Sequence, residues 1–528
     1  MKTSETESNS VEDEEANHVT RIWDVNNDRL NLMRQKISDP PKLLTKAAAS
    51  SSCCIFKVPQ RFIDINGKSY QPHVVSIGPY HHGEEHLKMI EEHKWRYLGS
   101  VLSRTQCKGL DLEVLLKAIQ PLEQQARECY SQIIHLDSDE FIEMMVVDGC
   151  FIIELFRKVG EVVQFEDDDP IVTMAWIIPF FYRDLLRLEN QIPFFVLECL
   201  FDITRMPGEE SGPSLCKLAL DFFNYALQRP DHIIARHNNL KARHLLDLIR
   251  SSFIDFEQGE PLGADTSTPV IHSVSKLRRA GIELSQGNPE DSFLVVRFEN
   301  GVIEMPTITI DETITSFLLN CVAFEQCHNG SSKHFTTYAT LLDCLVNTFK
   351  DVEHLCDCNI IENYFGTDSE VASFINDLGK EVAFDIERCY LSKLFSDIDE
   401  YYKNSRHVQW ASFSTGRPDH PPSNGDSDLL HHLRRLQKLN PVYLVGDREV
   451  ATKHSRGCLG IKSDQTFSPH AFSLRSRWEI KWIETLQGHE LSCEQFLLKA
   501  ECWMIPLQWR RKVLHSSGKQ SRPSRETS

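Results

Sequence analysis

The sequence predicts a mainly α-helical protein with a small β component, of the α+β class. We expect a two-lobed helical core with a β-hairpin, a disordered N-terminus and a loosely ordered C-terminal tail. Three observations support this prediction. Apolar residues recur at helical spacing over long stretches, an Asn-Gly pair lies between two β-rich runs, and the first 50 residues are polar, acidic and poor in aromatic residues.

Charge divides the chain of 528 residues into unlike parts. From Ala411 onward there are 18 basic and 12 acidic residues, whereas the first 410 residues hold 39 basic and 64 acidic ones. The overall net charge of −19 argues against a nucleic-acid partner. Together with composition, this asymmetry predicts an acidic disordered segment at 1–50, a core at 53–410 and a divergent basic tail at 411–528. The Pro- and Gly-containing stretch 256–270 is expected to link lobes at about 53–255 and 271–410.

Local signals place the elements of the first lobe. A short helix is expected near 19–37, before the core. The prolines and the Asn66-Gly67 pair within 55–83 favour short extended segments and turns. Asp137 and Glu140 form a plausible capping box for a helix over 138–159, which Gly160 would end. The remaining predictions are helices over 87–102 and 112–133, the latter broken or kinked at Pro121, an apolar helical region over 183–201 that contains Pro193, and a loop over 205–214.

The second lobe contains the clearest local signal, a hairpin over 293–306. A two-residue Asn300-Gly301 turn would place Arg297 opposite Glu304 as a pair of opposite charges. The same register would place Phe298 opposite Ile303, Glu299 opposite Val302 and Val296 opposite Met305. After Thr313 the pattern is helical until about Trp410.

Two histidine-containing patterns raise the question of a metal site. His82-x-x-Glu85-His86 has the spacing of one zinc-peptidase class, but Pro79 and Gly83 favour a turn over 78–83 with a helix beginning after it. His354-x-Cys356-x-Cys358 lacks the second pair of ligands that a structural zinc site needs. We therefore assign no metal-binding residue and no cofactor.

Polar residues inside apolar segments are the other candidates for chemistry. Asp148, Glu154 and the run Glu189-Asn190-Gln191 could include a general acid or base, but a hydrogen-bonded core network is the favoured interpretation. We expect Asp148 or Glu154 to lie close to the 189–191 run. The chain contains no G-x-S-x-G, phosphate-loop or dinucleotide-binding motif, and no catalytic residue is assigned.

Membrane and secretion signals are also absent from the sequence. The N-terminus has no apolar signal segment, and the 16 cysteines include no Cys-x-x-Cys pair, which favours free thiols in a reducing compartment. The most apolar stretch, 141–156, contains three acidic residues and is typical of a buried helix. In the tail, LLHHLRRL and WEIKWIETL could form amphipathic helices that bind an anionic membrane surface peripherally.

Eight blocks in order resemble the plant family named domain of unknown function 247. They are IFKVPQRFIDINGKSYQPHVVSIGPYHH, EEHKWRYL, MVVDGCFIIELF, RDLLRLENQIPFFVL, SVSKLRRAGI, GVIEMPTITID, NCVAFEQC and LLDCLVNTFKDVEHL. The resemblance implies a flowering-plant protein from a large family without an established activity. It also implies membrane association through one C-terminal transmembrane helix and, for some grass members, a role in self-incompatibility recognition. Gly78-Pro79-Tyr80-His81 is similar to a turn motif of the family.

The resemblance ends after Gln409-Trp410-Ala411, where the family's apolar anchor is replaced by a basic sequence. We therefore expect a cytoplasmic form or one peripheral at a membrane. The favoured function is a non-enzymatic interaction or recognition protein with unknown protein partners. The alternative is an enzyme with an unrecognised, metal-assisted hydrolytic site at His81, His82 and His86.

Overall fold

The computed structural model describes residues 27–38, 52–209, 211–254 and 269–404. The chain divides into two units, Met1–Ala411 and Ser412–Ser528, and every described residue lies in the first. These residues are mainly helical with a few short strands, which confirms the predicted fold class. The predictions for the tail, for most of the linker and for most of the N-terminal segment lie outside the described residues.

Short and medium helices build the part of the structure before residue 255. Helix α1 has no buried residue and overlaps the segment near 19–37 where a short helix was expected. The helices are α1 (Asn27–Ser38), α2 (Gln60–Asn66), α3 (Lys88–Thr105), α4 (Leu112–Ile119), α5 (Glu123–Glu128), α6 (Ser138–Val159), α7 (Pro170–Thr173), α8 (Ile178–Asp184), α9 (Phe194–Ile203), α10 (Leu215–Leu227), α11 (Asp231–Ala235) and α12 (Leu245–Ser251).

Helix α6 is the centre of the core. The predicted capping box is present, because Asp137 accepts a hydrogen bond from the Glu140 amide and the Glu140 side chain accepts one from the Asp137 amide. Every residue from 144 to 159 is buried, and α3, α4, α9 and α10 pack around the helix. Gly160 ends the helix as predicted. A helix that is buried on all sides is explained by its nearly continuous apolar sequence.

Prolines explain two differences from the predicted helices. The region 183–201 is not one helix, because α8 ends at Asp184 and α9 begins only after Pro193. Proline lacks an N–H and clashes with the preceding turn, so it is tolerated at a helix start and not in the interior. Pro59 likewise precedes α2, so the region 55–83 contains a short helix that was not predicted, and Gly67 continues in a 3-10 turn. The predicted break at Pro121 and the loop at 205–214 are confirmed.

The part after residue 269 contains helices and two small sheets. The strands are β1 (Glu283–Gln286), β2 (Arg297–Glu299), β3 (Val302–Met305), β4 (Ile308–Ile310) and β5 (Ile361–Asn363). The helices are α13 (Val274–Arg279), α14 (Glu312–Cys327), α15 (His334–Leu345), α16 (Phe349–Asp357), α17 (Asp368–Leu378) and α18 (Ser392–Lys403). One sheet has the order β1-β3-β2, and the other pairs β4 with β5 in parallel.

The predicted hairpin register is confirmed for three of the four predicted pairs, but residues 293–296 are not part of a strand, so the hairpin is shorter than the predicted 293–306. Strands β2 and β3 are antiparallel, and Arg297 lies opposite Glu304, Phe298 opposite Ile303 and Glu299 opposite Val302. Arg297 forms an ion pair with Asp291 at 2.7 Å rather than with the cross-strand Glu304. Strand β1, which was not predicted, lies parallel to the other edge of β3. Strand β5 also interrupts the helical region expected after Thr313.

Within the part of the chain that the structure describes, no helix is both long enough and apolar enough to cross a lipid bilayer.

Candidate functional site

The loop that precedes α3 is held in place by buried side chains from distant parts of the chain. The carboxylate of Asp184, at the end of α8, accepts hydrogen bonds from three successive backbone amides. The distances from its Oδ2 are 2.9 Å to His73, 2.7 Å to Val74 and 3.2 Å to Val75. Burial alone would raise the pKa of Asp184, but hydrogen bonds from His73 and these amides, with the charge of Arg187, hold that pKa below its usual value.

The next amides of the loop bind two of the polar residues singled out in the sequence. Asn190 accepts a hydrogen bond from the Ile77 amide at 2.7 Å, and Asp148 accepts one from the Gly78 amide at 2.7 Å. Both side chains are buried. The predicted link between α6 and the 189–191 run therefore passes through two adjacent loop amides. Gln191 instead closes its own turn by donating to the carbonyls of Leu185 and Arg187.

Lys94 of α3 neutralises Asp148 inside the protein. Its Nζ lies 2.6 Å from Asp148 Oδ1 and 2.7 Å from Glu91 Oε1, and the side chain has no exposed surface.

Gly78 has φ +72°, and a Cβ there would lie 2.5 Å from the Gln191 carbonyl oxygen. Only glycine fits this close approach, which explains the Gly-Pro start of the turn.

Glu154 belongs to a separate network. Its carboxylate pairs with Arg104 at 2.7 Å and lies 4.0 Å from Arg157. Of the two residues that the prediction offered, Asp148 and not Glu154 is therefore the one associated with the 189–191 run. Burial and the charge of Arg104 together lower the pKa of Arg157 to about 10, against the opposing effect of Glu154. Arg157 also donates to Thr204 Oγ1 at 2.9 Å, which ties α6 to the end of α9.

A cluster of charges lies at His81, on the other side of the same loop. Glu189 Oε2 is 2.8 Å from Lys57 Nζ and 3.2 Å from His81 Nε2, while Glu189 Oε1 accepts the Val58 amide at 2.7 Å. His81 Nδ1 lies 2.8 Å from Glu84 Oε1. Burial alone would raise the pKa of Glu189, but the contacts with His81 and Lys57 hold it below its usual value.

The residues of the zinc-like pattern are not brought together. The turn over 78–83 is confirmed, with φ +80° at Gly83, and a helical segment begins at Glu85. His82 points into solvent and the His86 side chain is 57% exposed, whereas the buried histidine of the turn is His81. Among the described residues, no group of three or more His, Cys, Asp or Glu is arranged to hold a metal ion.

The second histidine pattern lies at the end of α16. Cys358 Sγ is 3.6 Å from His354 Nε2, and Cys356 and Cys358 are both partly exposed. This is a local contact between residues one helical turn apart. It does not belong to a group of described residues that could hold a metal ion.

An aromatic surface patch, formed by Trp176, Phe180, His73 and Arg183, lies at the start of the same loop. Trp176 is 53% exposed and meets Phe180 edge to face, with ring centroids 6.0 Å apart. The His73 ring lies 6.3 Å from Phe180, and the Arg183 guanidinium stacks over Phe180 at 4.5 Å. Arg183 also forms an ion pair with Glu312 at 2.6 Å. The exposed patch was not predicted from the sequence.

The comparisons with known proteins identify the class. The model of the domain of unknown function 247 family, described as a plant protein of unknown function, matches residues 55–419, and the chain belongs to this family. UPF0481 protein At3g47200 of Arabidopsis thaliana is 38% identical over 400 residues, which cover 71% of this chain and 83% of the relative. Putative UPF0481 protein At3g02645 of Arabidopsis thaliana is 23% identical over 451 residues, covering 66% of this chain and 82% of the relative. No solved structure matches the chain.

Proposed function

We propose that this protein is a non-enzymatic interaction protein and that the aromatic surface patch contacts its protein partner. The observation that carries the proposal is Trp176, a large apolar side chain that is 53% exposed beside Phe180 and Arg183. Tryptophan is enriched among the residues that dominate binding at protein interfaces. A partner that offers an apolar pocket for the Trp176 ring fits this arrangement.

The backbone beneath the patch is held rigidly, which favours binding. Asp184 fixes the amide of His73, and Arg187 donates from Nη2 to His73 Nδ1 at 2.6 Å. Arg187 also pairs with Asp184 at 3.0 Å inside the protein. A contact surface that is ordered before binding loses less conformational entropy when the partner arrives.

The charged cluster at His81 supports a structural role for the most enzyme-like residues. Both oxygens of Glu189 are occupied by Lys57, His81 and the Val58 amide, and the Glu189 side chain is 5% exposed. A carboxylate that is used in this way anchors the loop and has little capacity left for a substrate proton.

Cross-linking of the full-length protein in plant extract tests the role of the patch. We expect Trp176→Ser to lose at least tenfold of a specific cross-linked partner, and we expect Trp95→Ser to retain it. Trp95 is a matched control because it is 47% exposed and lies on α3 outside the patch. Equal recovery of the partner with both variants would contradict the proposal.

We also propose that the protein lies in the cytoplasm or at the periphery of a membrane. This location is supported by the basic composition of the tail after Ala411. Fractionation with a carbonate wash tests it, because peripheral protein is released into the supernatant. Recovery in the washed pellet would contradict this location.

The alternative is a metal-assisted hydrolase, and His81 is the residue at which it can be tested. His81 lies between two carboxylates, with Glu84 at 2.8 Å and Glu189 at 3.2 Å. Metal analysis of the purified protein tests this alternative. Stoichiometric zinc that is lost in His81→Gln would support the hydrolase and contradict the interaction protein.

A further inference from the structure

Two cysteines lie side by side where the described core begins. The Cys54 amide donates to the Cys129 carbonyl at 2.9 Å, and the Ile55 amide donates to the same carbonyl at 2.8 Å. The Ser131 amide in turn donates to the Ile55 carbonyl at 2.9 Å, and Ile55 pairs with Tyr130 in a parallel bridge. Hydrogen bonds on both sides of this bridge therefore fix the position of Cys54 relative to Cys129.

The backbone arrangement suits a disulfide. Residues joined by a direct amide-to-carbonyl hydrogen bond have α-carbons roughly 5 to 6.5 Å apart, within the range that disulfides span. Both cysteines are free thiols and both are buried, at 2% and 5% exposure. The pair can therefore be bridged without a large movement of the backbone.

We propose that Cys54 and Cys129 form an intramolecular disulfide when the protein meets a peroxide, and that reductants open it again. The Cys129 thiolate attacks one peroxide oxygen, the O–O bond breaks, and water leaves after proton transfer. The Cys54 sulfur then attacks the sulfenic acid, the S–S bond forms, and a second water leaves. Both sulfurs are oxidised by one hydrogen peroxide, and two waters are produced.

The electrostatics of the pair favour this order of attack. The neighbouring Cys129 side chain, followed by burial, raises the pKa of Cys54. The neighbouring Cys54 side chain lowers the pKa of Cys129, against the opposing effect of burial. The thiolate is the reactive form of cysteine, so these opposite directions favour Cys129 as the sulfur that reacts first. Cys150 and Cys321, which are also buried, have raised pKa values because burial disfavours their thiolates.

The bond would join the start of the core to the segment after α5. It would close a loop that contains helices α2 to α5 and the turn that carries His81. Cross-links that close long loops stabilise proteins mainly by restricting the unfolded chain. The oxidised protein is therefore expected to unfold at a higher temperature than the reduced protein.

Peptide mapping of the full-length protein tests the bond. The reduced protein is treated with hydrogen peroxide, its free thiols are alkylated, and trypsin releases peptides 47–57 and 128–157. We expect these peptides to be joined, with a mass two hydrogens below their sum, and to separate after dithiothreitol. Exposed Cys107 reports, by its own loss of alkylation, that the oxidant reached the protein.

Matched controls use the second cysteine that each peptide contains. The joined peptide should persist in Cys53→Ser and Cys150→Ser, and it should disappear in Cys129→Ser. Alkylation of both Cys54 and Cys129 in wild-type protein whose Cys107 is oxidised would overturn the proposal. A bond through Cys53, or one between two chains, would overturn it as well. Because the decisive result comes from wild-type protein, it does not depend on the folding of a variant.

Discussion

Glu189 shows how a buried charge is accommodated in this protein. Its side chain is 5% exposed, and a cation, a histidine and a backbone amide surround the two carboxylate oxygens. An ionised group in this position is tolerated only because its partners replace the water that burial removed. Its main role is therefore to hold the residue 57 region and the His81 turn together.

Removing this carboxylate should destabilise the core strongly. We expect Glu189→Ala to lower the free energy of unfolding by about 2 to 4 kcal/mol, because Lys57, His81 and the Val58 amide lose their common partner. Glu113→Ala is the control, since Glu113 and its partner Lys117 are 70% and 69% exposed. That change should cost less than about 0.5 kcal/mol. Urea unfolding measures both, and equal midpoints would contradict the assigned role.

Because His244 is buried, we expect the folded protein to lose stability in mild acid. Its ring accepts the Asp247 amide at Nδ1, at 3.2 Å, and contacts the Cys54 carbonyl through Nε2 at 3.1 Å, and burial lowers its pKa from 6.5 to about 4. Between these values the unfolded chain binds a proton that the folded chain does not. The contribution of His244 is therefore complete above pH 6.5 and is lost as the pH falls toward 4.

A variant isolates this contribution. His244→Asn keeps a side chain that can cap helix α12 but cannot titrate in this range. We expect its free energy of unfolding to fall less steeply between pH 6.5 and 4 than that of the wild type, by about 1 kcal/mol per pH unit. His328, whose pKa burial also lowers to about 4, retains its own share in both proteins. Parallel pH profiles would contradict the prediction.

At the scale of elements, the β2–β3 hairpin depends on its glycine. Gly301 has φ +84°, and a Cβ there would lie 2.5 Å from Tyr401 Oη and 2.7 Å from Cζ. Gly301→Ala should therefore lower the free energy of unfolding by about 1 to 3 kcal/mol. Gly99→Ala is a matched control, because a Cβ at Gly99 in α3 meets nothing within 4 Å and should stabilise the helix by up to about 1 kcal/mol. Thermal unfolding of the two variants should shift in opposite directions.

The sequence predicted those elements whose cause is local. The capping box of α6, the break at Pro121 and the hairpin register each depend on residues a few positions apart, and all three are confirmed. Strands β1, β4 and β5 were missed because they are short and pair in parallel with distant partners. The apolar helical region expected over 183–201 is only partly helical, because α8 ends at Asp184 and Pro193 precedes the start of α9.

The candidate site was predicted only in part for the same reason. Asp148 and the 189–191 run were correctly selected as buried polar residues, because charges within apolar helices are conspicuous in a sequence. Their partners were not, because Asp148 and Asn190 bind loop amides that lie 70 and 113 positions away. The exposure of Trp176 depends on packing, which no local pattern reveals.

At the scale of the whole molecule, buried contacts join the segments on either side of 256–270. Arg250 of α12 pairs with Glu325 of α14 at 2.8 Å, and both side chains are less than 5% exposed. Glu325 also accepts the amides of Phe335 and Thr336, at 3.2 and 2.7 Å. Asn320 accepts the Leu188 amide at 2.9 Å. These contacts bind the two segments independently of the chain that connects them.

Cutting the connection should therefore leave the two segments associated. With a specific protease site placed at 261–266, we expect the two fragments to elute together in gel filtration and to separate only in denaturant. In the same protein, Glu325→Ala leaves Arg250 buried without its partner and should lower the urea concentration at which the fragments separate. Fragments that elute apart in native buffer would instead support two independent lobes.

The hydrogen bonds of the loop also set an order of events during synthesis. The amides of residues 73–77 leave the ribosome well before Asp184 and Asn190, since their partners lie 109 to 113 positions later. At about 5 to 20 residues per second, that delay lasts about 5 to 20 seconds. Throughout it, the apolar run Val74, Val75 and Ile77 has no Asp184 or Asn190 to bind its amides. The nascent chain therefore carries, for many seconds, an apolar segment whose backbone amides lack the partners that hold them in the folded protein.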